Sequence, residues 1–301
     1  WLAQNDPAKV DTVIEIAITP NRPDALGVQG IARDLAARGL GKLKTKPVDP
    51  VPASFTADTK VVIDEDTLDG CPLFCGRIIR GVKNGPSPQW LQDALRAIGL
   101  RPINFLVDVT NFFTYDRNRP LHVFDMAKVS GDLRVHRATG GEELLALDGK
   151  TYTLQQGQMV ISDTNGPESL AGIMGGEETG CTDETTDVFV ESAYWDPIQI
   201  AYTGRALKIN SDARYRFERG VDFTLQTTAM ERATALLLDI VGGDAGPVTE
   251  TVSSAHLPQR PDVVLRAARI KRLLGFGHPP VLALEGATAQ AHESGRLDDS
   301  H

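Results

Sequence analysis

Two titratable side chains in this sequence, His122 and Glu191, could take part in ligand binding or in positioning a water molecule. A neutral imidazole near pH 7 can orient or activate a water molecule. A carboxylate among apolar residues can accept a hydrogen bond from a ligand hydroxyl. A lone histidine among apolar neighbours is usually a hydrogen-bonded core residue, and a carboxylate at a strand end usually lies at the surface. The residue types alone leave both interpretations open.

Small and polar residues elsewhere could form the walls of such a site. Gly172, Gly175 and Gly176 predict a backbone that passes close to another group. A phosphate-binding loop is the rival interpretation, but the GxxxxGK[ST] and GxGxxG patterns are missing, so a pocket wall is favoured. Thr110 and Asn111 end a predicted helix, where they could equally bind a ligand or cap that helix.

Residues 211–219 (SDARYRFER) combine a small residue with several arginines. Ala213 would line a pocket that a bulky side chain would block. Arg214 and Arg216 could contact phosphate groups. Such arginines more often pair with nearby carboxylates, here Asp212 or Glu218.

Four helices and a series of strands must position these groups. Periodicity and capping residues predict a first helix after Asp24 up to Gly39 and a third over residues 104–113. The second helix is predicted to have Ser87 as its N-cap and Pro88 at its first position, and to end at Gly99. The fourth is predicted after Asp222 up to Ile240. Short apolar runs predict strands at 73–82, 144–147, 151–154, 159–162, 170–174 and 188–191. Asp148-Gly149 suits a hairpin turn. A strand-rich middle flanked by helices predicts an α+β fold.

Two segments of weak periodicity, 46–59 and 252–262, are predicted to be linkers. They delimit a partial N-terminal domain (1–45), a central domain (60–251) and the truncated start of a further domain (263–301). After Gly275 the apolar patterning is lost, so the tail could not bury enough surface to offset its ordering entropy. We expect that tail to be unstructured.

Composition narrows the class of protein. A net charge of −9 argues against a general nucleic-acid coat protein, although a local basic strip could still bind RNA. The three cysteines and six histidines show no paired metal-ligand spacing, so no metal site is expected. No apolar run approaches the roughly 20 residues that cross a bilayer. We therefore expect a cytoplasmic protein without a membrane partner.

Four segments in a fixed order carry a resemblance to one family. They are residues 18–24 (ITPNRPD), 107–111 (VDVTN), 120–125 (PLHVFD) and 211–222 (SDARYRFERGVD), with 170–176 (LAGIMGG) and 191–193 (ESA) between the last two. The ordered set resembles the beta subunit of bacterial phenylalanyl-tRNA synthetase, from residue 10 to about 274. The family usually has a small residue where Arg214 stands and often Ala where Val123 stands.

The resemblance implies a division of labour. In this family the alpha subunit activates and transfers the amino acid, in a heterotetramer with the beta subunit, and the whole enzyme uses ATP and magnesium. The central beta domain hydrolyses tyrosine wrongly attached to tRNA(Phe), and we expect no cofactor for this segment. The expected partners are the 3′ end of tRNA(Phe) and the alpha subunit.

The same resemblance assigns roles to the candidate residues. Glu191 would recognise the tyrosyl hydroxyl, and His122 would position the attacking water or the terminal ribose. The substrate would contact Thr110, Asn111, Gly175, Ser211 and Ala213, and Arg214 and Arg216 would contact tRNA.

Two alternatives to an editing hydrolase stay open. One is a non-catalytic scaffold of the synthetase with a vestigial pocket, although every candidate position holds a site-compatible side chain. The other is a free-standing relative that edits in trans or binds another aromatic ligand. The predicted partial domains at both ends argue against the second alternative.

Overall fold

A computed structural model describes residues 12–264, except 46 and 58, together with 266, 269, 272 and 273. The helices are α1 (Val28–Ala37), α2 (Gln89–Ala97), α3 (Phe105–Arg117), α4 (Pro197–Leu207), α5 (Asp212–Phe217) and α6 (Gln226–Val241). The strands are β1 (Val61–Ile63), β2 (Leu73–Arg80), β3 (His122–Asp125), β4 (Leu133–Arg137), β5 (Glu143–Leu145), β6 (Thr151–Thr153), β7 (Met159–Ser162), β8 (Pro167–Leu170), β9 (Met174–Gly175), β10 (Val188–Tyr194), β11 (Asp244–Ala245) and β12 (Thr249–Val252).

The central sheet has the antiparallel order β11-β2-β10-β3, and β12 also pairs with β2. Both of its faces are covered. Val188 and Val190 of β10 pack in a core with residues of α2, α3 and α6. Phe189 and Ala193, on the opposite face, pack in a second core with residues of the other large sheet. Burial on both sides explains why β10 is a continuous buried run rather than an alternating one.

The second sheet has the order β1-β4-β7-β8-β9, in which β1 is parallel to β4 and the other pairs are antiparallel. β5 and β6 form a separate hairpin. Its turn contains Gly149 at φ +77°, a conformation that favours glycine. The predicted α+β fold and the predicted hairpin are confirmed.

Helix α3 is longer than predicted. Asn104 is its N-cap, with Oδ1 accepting from the Val107 amide at 3.2 Å, and Asn118 ends it in the left-handed conformation. Thr110 and Asn111 therefore lie inside the helix, and the prediction that they end it is wrong. The local sequence offers no stop at residue 113, since neither Gly nor Pro follows before Pro120 and Asn118 can adopt the left-handed conformation that ends a helix.

Helix α2 begins at Gln89, with Pro88 in the N-cap position, so the predicted cap by Ser87 is wrong. The Ser87 hydroxyl instead donates to the carboxylate of Asp108 at 2.6 Å. A hydrogen bond to a buried charge is stronger than a cap on a backbone amide, and Asp108 comes from a different helix. Sequence proximity could not reveal that partner.

The sequence-based prediction has no helix between β10 and α6, but the structure has two there. α4 has Asp196 as N-cap, accepting from Gln199 N at 2.9 Å, and Pro197 at its first position. α5 has Ser211 as N-cap, accepting from Arg214 N at 3.0 Å. Both starts carry ordinary capping residues, so the signal was present in the sequence.

Contacts group the described residues of 12–31 and 45–257 into one unit and the described residues of 32–44 and 258–273 into another. The candidate site lies wholly in the first unit. The predicted domain boundaries stay predictions. The predicted unstructured tail lies outside the described residues.

Candidate functional site

Glu191 and His122 are direct neighbours in the central sheet. They are Cα partners across β10 and β3, and theirs is the last pair in that ladder. Side chains of directly paired residues point to the same face of a sheet. On that face Phe189 and Phe124 belong to the apolar core between the two sheets. The fold thus brings a carboxyl group and an imidazole, 69 positions apart in sequence, to one edge of an apolar core.

Glu191 is 6% exposed. Burial raises the pKa of its carboxyl to about 8, while the positive charge of Arg119 and the indole of Trp195 lower it. The carboxyl is therefore mostly protonated at pH 7 and can both donate and accept a hydrogen bond. This carboxyl is a strong candidate for recognising a single hydroxyl group.

His122 is held in the neutral form. Burial lowers the pKa of its imidazole to about 4. The ring stands edge-on to Phe124 with centroids 4.4 Å apart. Its Nε2 is buried and has no hydrogen-bond partner among the described residues. A neutral ring with one uncommitted nitrogen can position a water molecule or a ligand hydroxyl.

The glycine segment passes against both rings of the site. A Cβ at Gly175 would lie 2.8 Å from Nε2 of His122 and closer still to Cε1. A Cβ at Gly172 would lie 2.6 Å from Cδ1 of Trp195, and its φ of +67° also favours glycine. The backbone approach predicted from the glycine run is confirmed, and the groups approached are His122 and Trp195.

Ser211 and Ala213 connect α5 to this segment. The Ser211 hydroxyl donates to Ile173 O at 2.6 Å, so it ties the start of α5 to the glycine turn. Ala213 is partly buried against the apolar core that contains Ile173 and Trp195. A single cavity shared by Ala213, His122 and Glu191 stays a prediction.

Thr110 and Asn111 lie one turn before the contact between α3 and α5. Tyr115, four residues after Asn111 and thus on the same helix face, donates to Asp212 at 2.7 Å. Asn111 is therefore placed on the side of α3 that faces α5. Thr110 uses its hydroxyl to donate to Val107 O at 2.8 Å. The ligand contacts predicted for both residues stay predictions.

Arg214 and Arg216 are buried, at 8% and 4% exposure. Arg214 pairs with Glu218 at 3.0 Å, and its side chain fills the space left by Gly204. Arg216 pairs with Asp212 at 3.2 Å and lies over a tyrosine ring. These are the local pairings that the sequence left as the alternative, and they argue against the tRNA contacts predicted for the two arginines, which stay predictions.

The sequence did not single out Arg119 or Trp195, although both border Glu191. Arg119 is fully buried and donates to Ser192 Oγ and to the carbonyl of Ala193. Trp195 is also fully buried, four residues after Glu191. Arg119 directly precedes the PLHVFD segment, but a lone arginine before a proline is usually exposed.

Neither a metal site nor a membrane span is found in the part of the chain that the structure describes. No group of three or more His, Cys, Asp or Glu residues there could hold a metal ion. None of the described helices has the length and apolar character needed to cross a membrane. The geometry is that of a site built from hydrogen-bonding groups and apolar walls.

Comparison with known proteins defines the class. The family model of the B3/4 domain matches residues 70–242, which include every candidate site residue, and the chain belongs to this family. The chain is 66% identical over 93% of its length to the phenylalanine–tRNA ligase beta subunit of Ruegeria pomeroyi, of which it covers 35%. The corresponding protein of Paramagnetospirillum magneticum is 57% identical over 90% of the chain, which covers 34% of it.

The resemblance to the beta subunit of phenylalanyl-tRNA synthetase is thereby confirmed. The chain spans about a third of the length of these relatives. The structure is also similar, with a TM-score of 0.44 and 18% identity, to an N-terminal fragment of the phenylalanyl-tRNA synthetase beta subunit from Pyrococcus horikoshii, and it covers 71% of that fragment.

Proposed function

We propose that this domain hydrolyses tyrosine that has been wrongly attached to tRNA(Phe). The observation that carries the proposal is the pairing of Glu191 with His122 at the edge of an apolar core. The Glu191 carboxyl can recognise a phenol, and the His122 imidazole can position an attacking water molecule. The similarity of the chain to phenylalanine–tRNA ligase beta subunits supports an aminoacylated tRNA(Phe) as the substrate.

Glu191 would supply the discrimination between the two amino acids. Tyrosine and phenylalanine differ by one hydroxyl, and a site built to bond a hydroxyl rejects the analogue that lacks it. Phenylalanine would leave the buried carboxyl of Glu191 unpaired, at a cost of about 1–3 kcal/mol. That cost corresponds to a discrimination of roughly 5- to 150-fold.

His122 would supply position rather than proton transfer. Its pKa of about 4 makes it a weak base at pH 7, and its uncommitted Nε2 can hold a water molecule or the terminal ribose. An aminoacyl ester is already activated, so correct placement of water can provide much of the acceleration. Hydrolysis of an ester by water needs no cofactor in this domain.

The remaining candidates would complete the pocket. The bare backbone of Gly175 lets the His122 ring pack directly against the glycine segment. The small side chain of Ala213 would keep one wall of the pocket open. Asn111 and Thr110 would bond the ammonium group or the terminal adenosine, and Ser211 would hold the glycine segment in place. In the whole cytoplasmic synthetase, the alpha subunit with ATP and magnesium would carry out aminoacylation.

The test is deacylation of Tyr-tRNA(Phe) and Phe-tRNA(Phe) by the intact synthetase that contains this segment. Glu191→Gln is expected to lower kcat/KM for Tyr-tRNA(Phe) by at least about tenfold, because the amide changes the hydrogen-bonding pattern of the buried group. Ala213→Trp is expected to block hydrolysis by filling the pocket. Glu65→Gln and Ala206→Trp alter exposed residues and serve as matched controls.

Equal hydrolysis of both aminoacyl-tRNAs by the parent enzyme would rule out the recognition of the hydroxyl. Unchanged hydrolysis of Tyr-tRNA(Phe) in both Glu191→Gln and Ala213→Trp would rule out this site. The domain would then be the scaffold with a vestigial pocket that the sequence left as an alternative.

A further inference from the structure

Arg119 occupies an unusual position for a charged residue. It lies between α3 and β3 and is fully buried, at 0% exposure. Its Nε donates to Ser192 Oγ at 3.3 Å, and its Nη2 donates to the carbonyl oxygen of Ala193. Ser192 and Ala193 are the two residues that directly follow Glu191. The guanidinium therefore holds the part of β10 from which the Glu191 side chain projects.

The hydrogen bonds of Arg119 lie just beyond the point where the pairing of β10 with β3 ends. The ladder between β10 and β3 ends at the Glu191–His122 pair, whereas β10 stays paired with β2 as far as Tyr194. Beyond Glu191, the strand has lost β3 as a neighbour. A buried carbonyl without a partner is costly, and the guanidinium of Arg119 supplies the donor to Ala193. The end of β10 is thus fixed by a side chain rather than by a strand.

The charge of Arg119 also acts on Glu191. Burial lowers the pKa of Arg119 to about 10, so the guanidinium stays charged at pH 7, and Cys75, Glu191 and Asp222 counteract the lowering. In return, the charge of Arg119 lowers the pKa of Glu191 from the value that burial alone would give. The other titratable groups that border this pair are His122 across the strand, and Cys71, Cys75 and Asp222.

One nitrogen of the Arg119 guanidinium is uncommitted. Its Nη1 is buried and has no hydrogen-bond partner among the described residues. A purely structural arginine usually has its donors satisfied, because each buried unpaired polar atom is costly. The side chain is therefore held by part of its hydrogen-bonding capacity, at the two residues that directly follow Glu191.

We propose that Arg119 is the positioning residue of the Glu191 site, fixing the strand end that carries the carboxyl and supplying the buried positive charge beside it. This inference rests on the proposed editing function, because it assigns Arg119 to the recognition of the tyrosyl hydroxyl. Arg119 touches neither the ester nor the attacking water. It acts through Glu191.

The experiment compares Arg119→Met and Arg119→Lys in the intact synthetase, with Arg205→Met on the exposed side of α4 as the control. The ratio of Tyr-tRNA(Phe) to Phe-tRNA(Phe) hydrolysis is measured between pH 6 and 9.5. An ionised carboxylate is the stronger acceptor, so this ratio should rise as Glu191 ionises near pH 8 in the parent. In Arg119→Met the rise should move upward by about one pH unit or more.

Arg119→Lys keeps the positive charge but cannot make both hydrogen bonds to Ser192 and Ala193 of β10. It should keep the midpoint of the pH profile and lose activity in kcat more than in KM. The carboxyl of Glu191 is titrated in parallel by NMR with carbon-labelled glutamate, its signal assigned by loss in Glu191→Gln. This titration does not depend on editing activity and also applies where Arg119→Met lowers stability.

Three results bear on the proposed role of Arg119. An upward shift of the Glu191 titration in Arg119→Met, with the midpoint kept in Arg119→Lys, supports the inference. An unchanged Glu191 titration in a folded Arg119→Met protein overturns it, whatever the loss in melting temperature. Failure of the parent to hydrolyse Tyr-tRNA(Phe) removes the proposed function and, with it, the role of Arg119 in recognition, while the titration still reports whether Arg119 acts on Glu191.

Discussion

Glu191 and His122 are Cα partners in adjacent antiparallel strands, and burial moves their pKa values in opposite directions, to about 8 and about 4. At pH 7 the site therefore holds a mostly protonated carboxyl beside a neutral imidazole. The fold avoids the cost of burying two charges and keeps two hydrogen-bonding groups at the edge of an apolar core. This arrangement has consequences that can be measured.

Glu191→Gln is expected to stabilise the protein at high pH. The folded-state pKa of about 8 lies above the unfolded value near 4.5, so the folded state retains a proton that the unfolded state has lost. Stability contributed by this group therefore falls as pH rises from about 4.5 to 8. Above pH 8 the free energy of unfolding of the variant should exceed that of the parent by up to about 1.4 kcal/mol for each unit by which the two pKa values differ. Denaturant unfolding at pH 5 and pH 9 measures this, and equal differences at the two pH values would contradict it.

His122 should shape the acid side of the stability profile. Its folded-state pKa of about 4 lies below the unfolded value near 6.5, so the unfolded state takes up a proton first. Stability from this group is complete above pH 6.5 and falls as the pH drops towards 4. His122→Gln should flatten the profile in that window. His136→Gln, on β4, is the control, and a profile that stays as steep in His122→Gln as in the parent would count against a buried neutral imidazole.

Gly175→Ala should displace the His122 ring. The added methyl group would overlap the ring, and overpacking of this kind costs about 1–3 kcal/mol. We expect a loss of Tyr-tRNA(Phe) hydrolysis and a changed chemical shift of the His122 imidazole. Gly85→Ala is the matched control, because a Cβ at Gly85 meets no atom within 4 Å. Full activity and an unchanged chemical shift of the His122 imidazole in Gly175→Ala would contradict this prediction, because they would show that the glycine segment can move to make room for the methyl group.

Arg216→Met should act on stability rather than on tRNA affinity. Its guanidinium pairs with Asp212, donates to Leu26 O and lies 4.4 Å from the centroid of the Tyr115 ring. Removing these contacts should cost roughly 1–3 kcal/mol in free energy of unfolding. Arg205→Met changes an exposed residue and should stay within about 0.5 kcal/mol of the parent. The salt dependence of tRNA binding should be the same in Arg216→Met as in the parent. A weaker salt dependence of tRNA binding in Arg216→Met than in the parent would indicate that Arg216 contacts a phosphate group.

Several features of the fold were predictable because their causes are local. The Asp148-Gly149 pair sets a hairpin, and Met159–Ser162 is predicted and observed as a strand with the same ends. The glycine run predicted a close backbone approach. Turn chemistry and apolar runs act over a few residues, so the sequence displays them directly.

Other features depended on partners far away in the chain. Ser87 donates to Asp108 instead of capping its own helix, and Arg216 turns inward to Asp212 and Leu26. Thr110 and Asn111 lie inside a helix whose final turns contact α5. Each outcome depends on which side chain from another element comes within hydrogen-bonding distance, and periodicity carries no information about that.

By itself, the sequence determined the family, the α+β character and the types of the residues at the candidate site. Only the tertiary structure decided that Glu191 lies beside His122, that the glycine segment covers the imidazole, and that Arg119 supports the strand end. The physical reason is that burial and charge proximity are set by strands and helices that are distant along the chain. An identical glutamate at an exposed strand end would be ionised and hydrated, whereas here the surrounding core keeps it protonated at neutral pH.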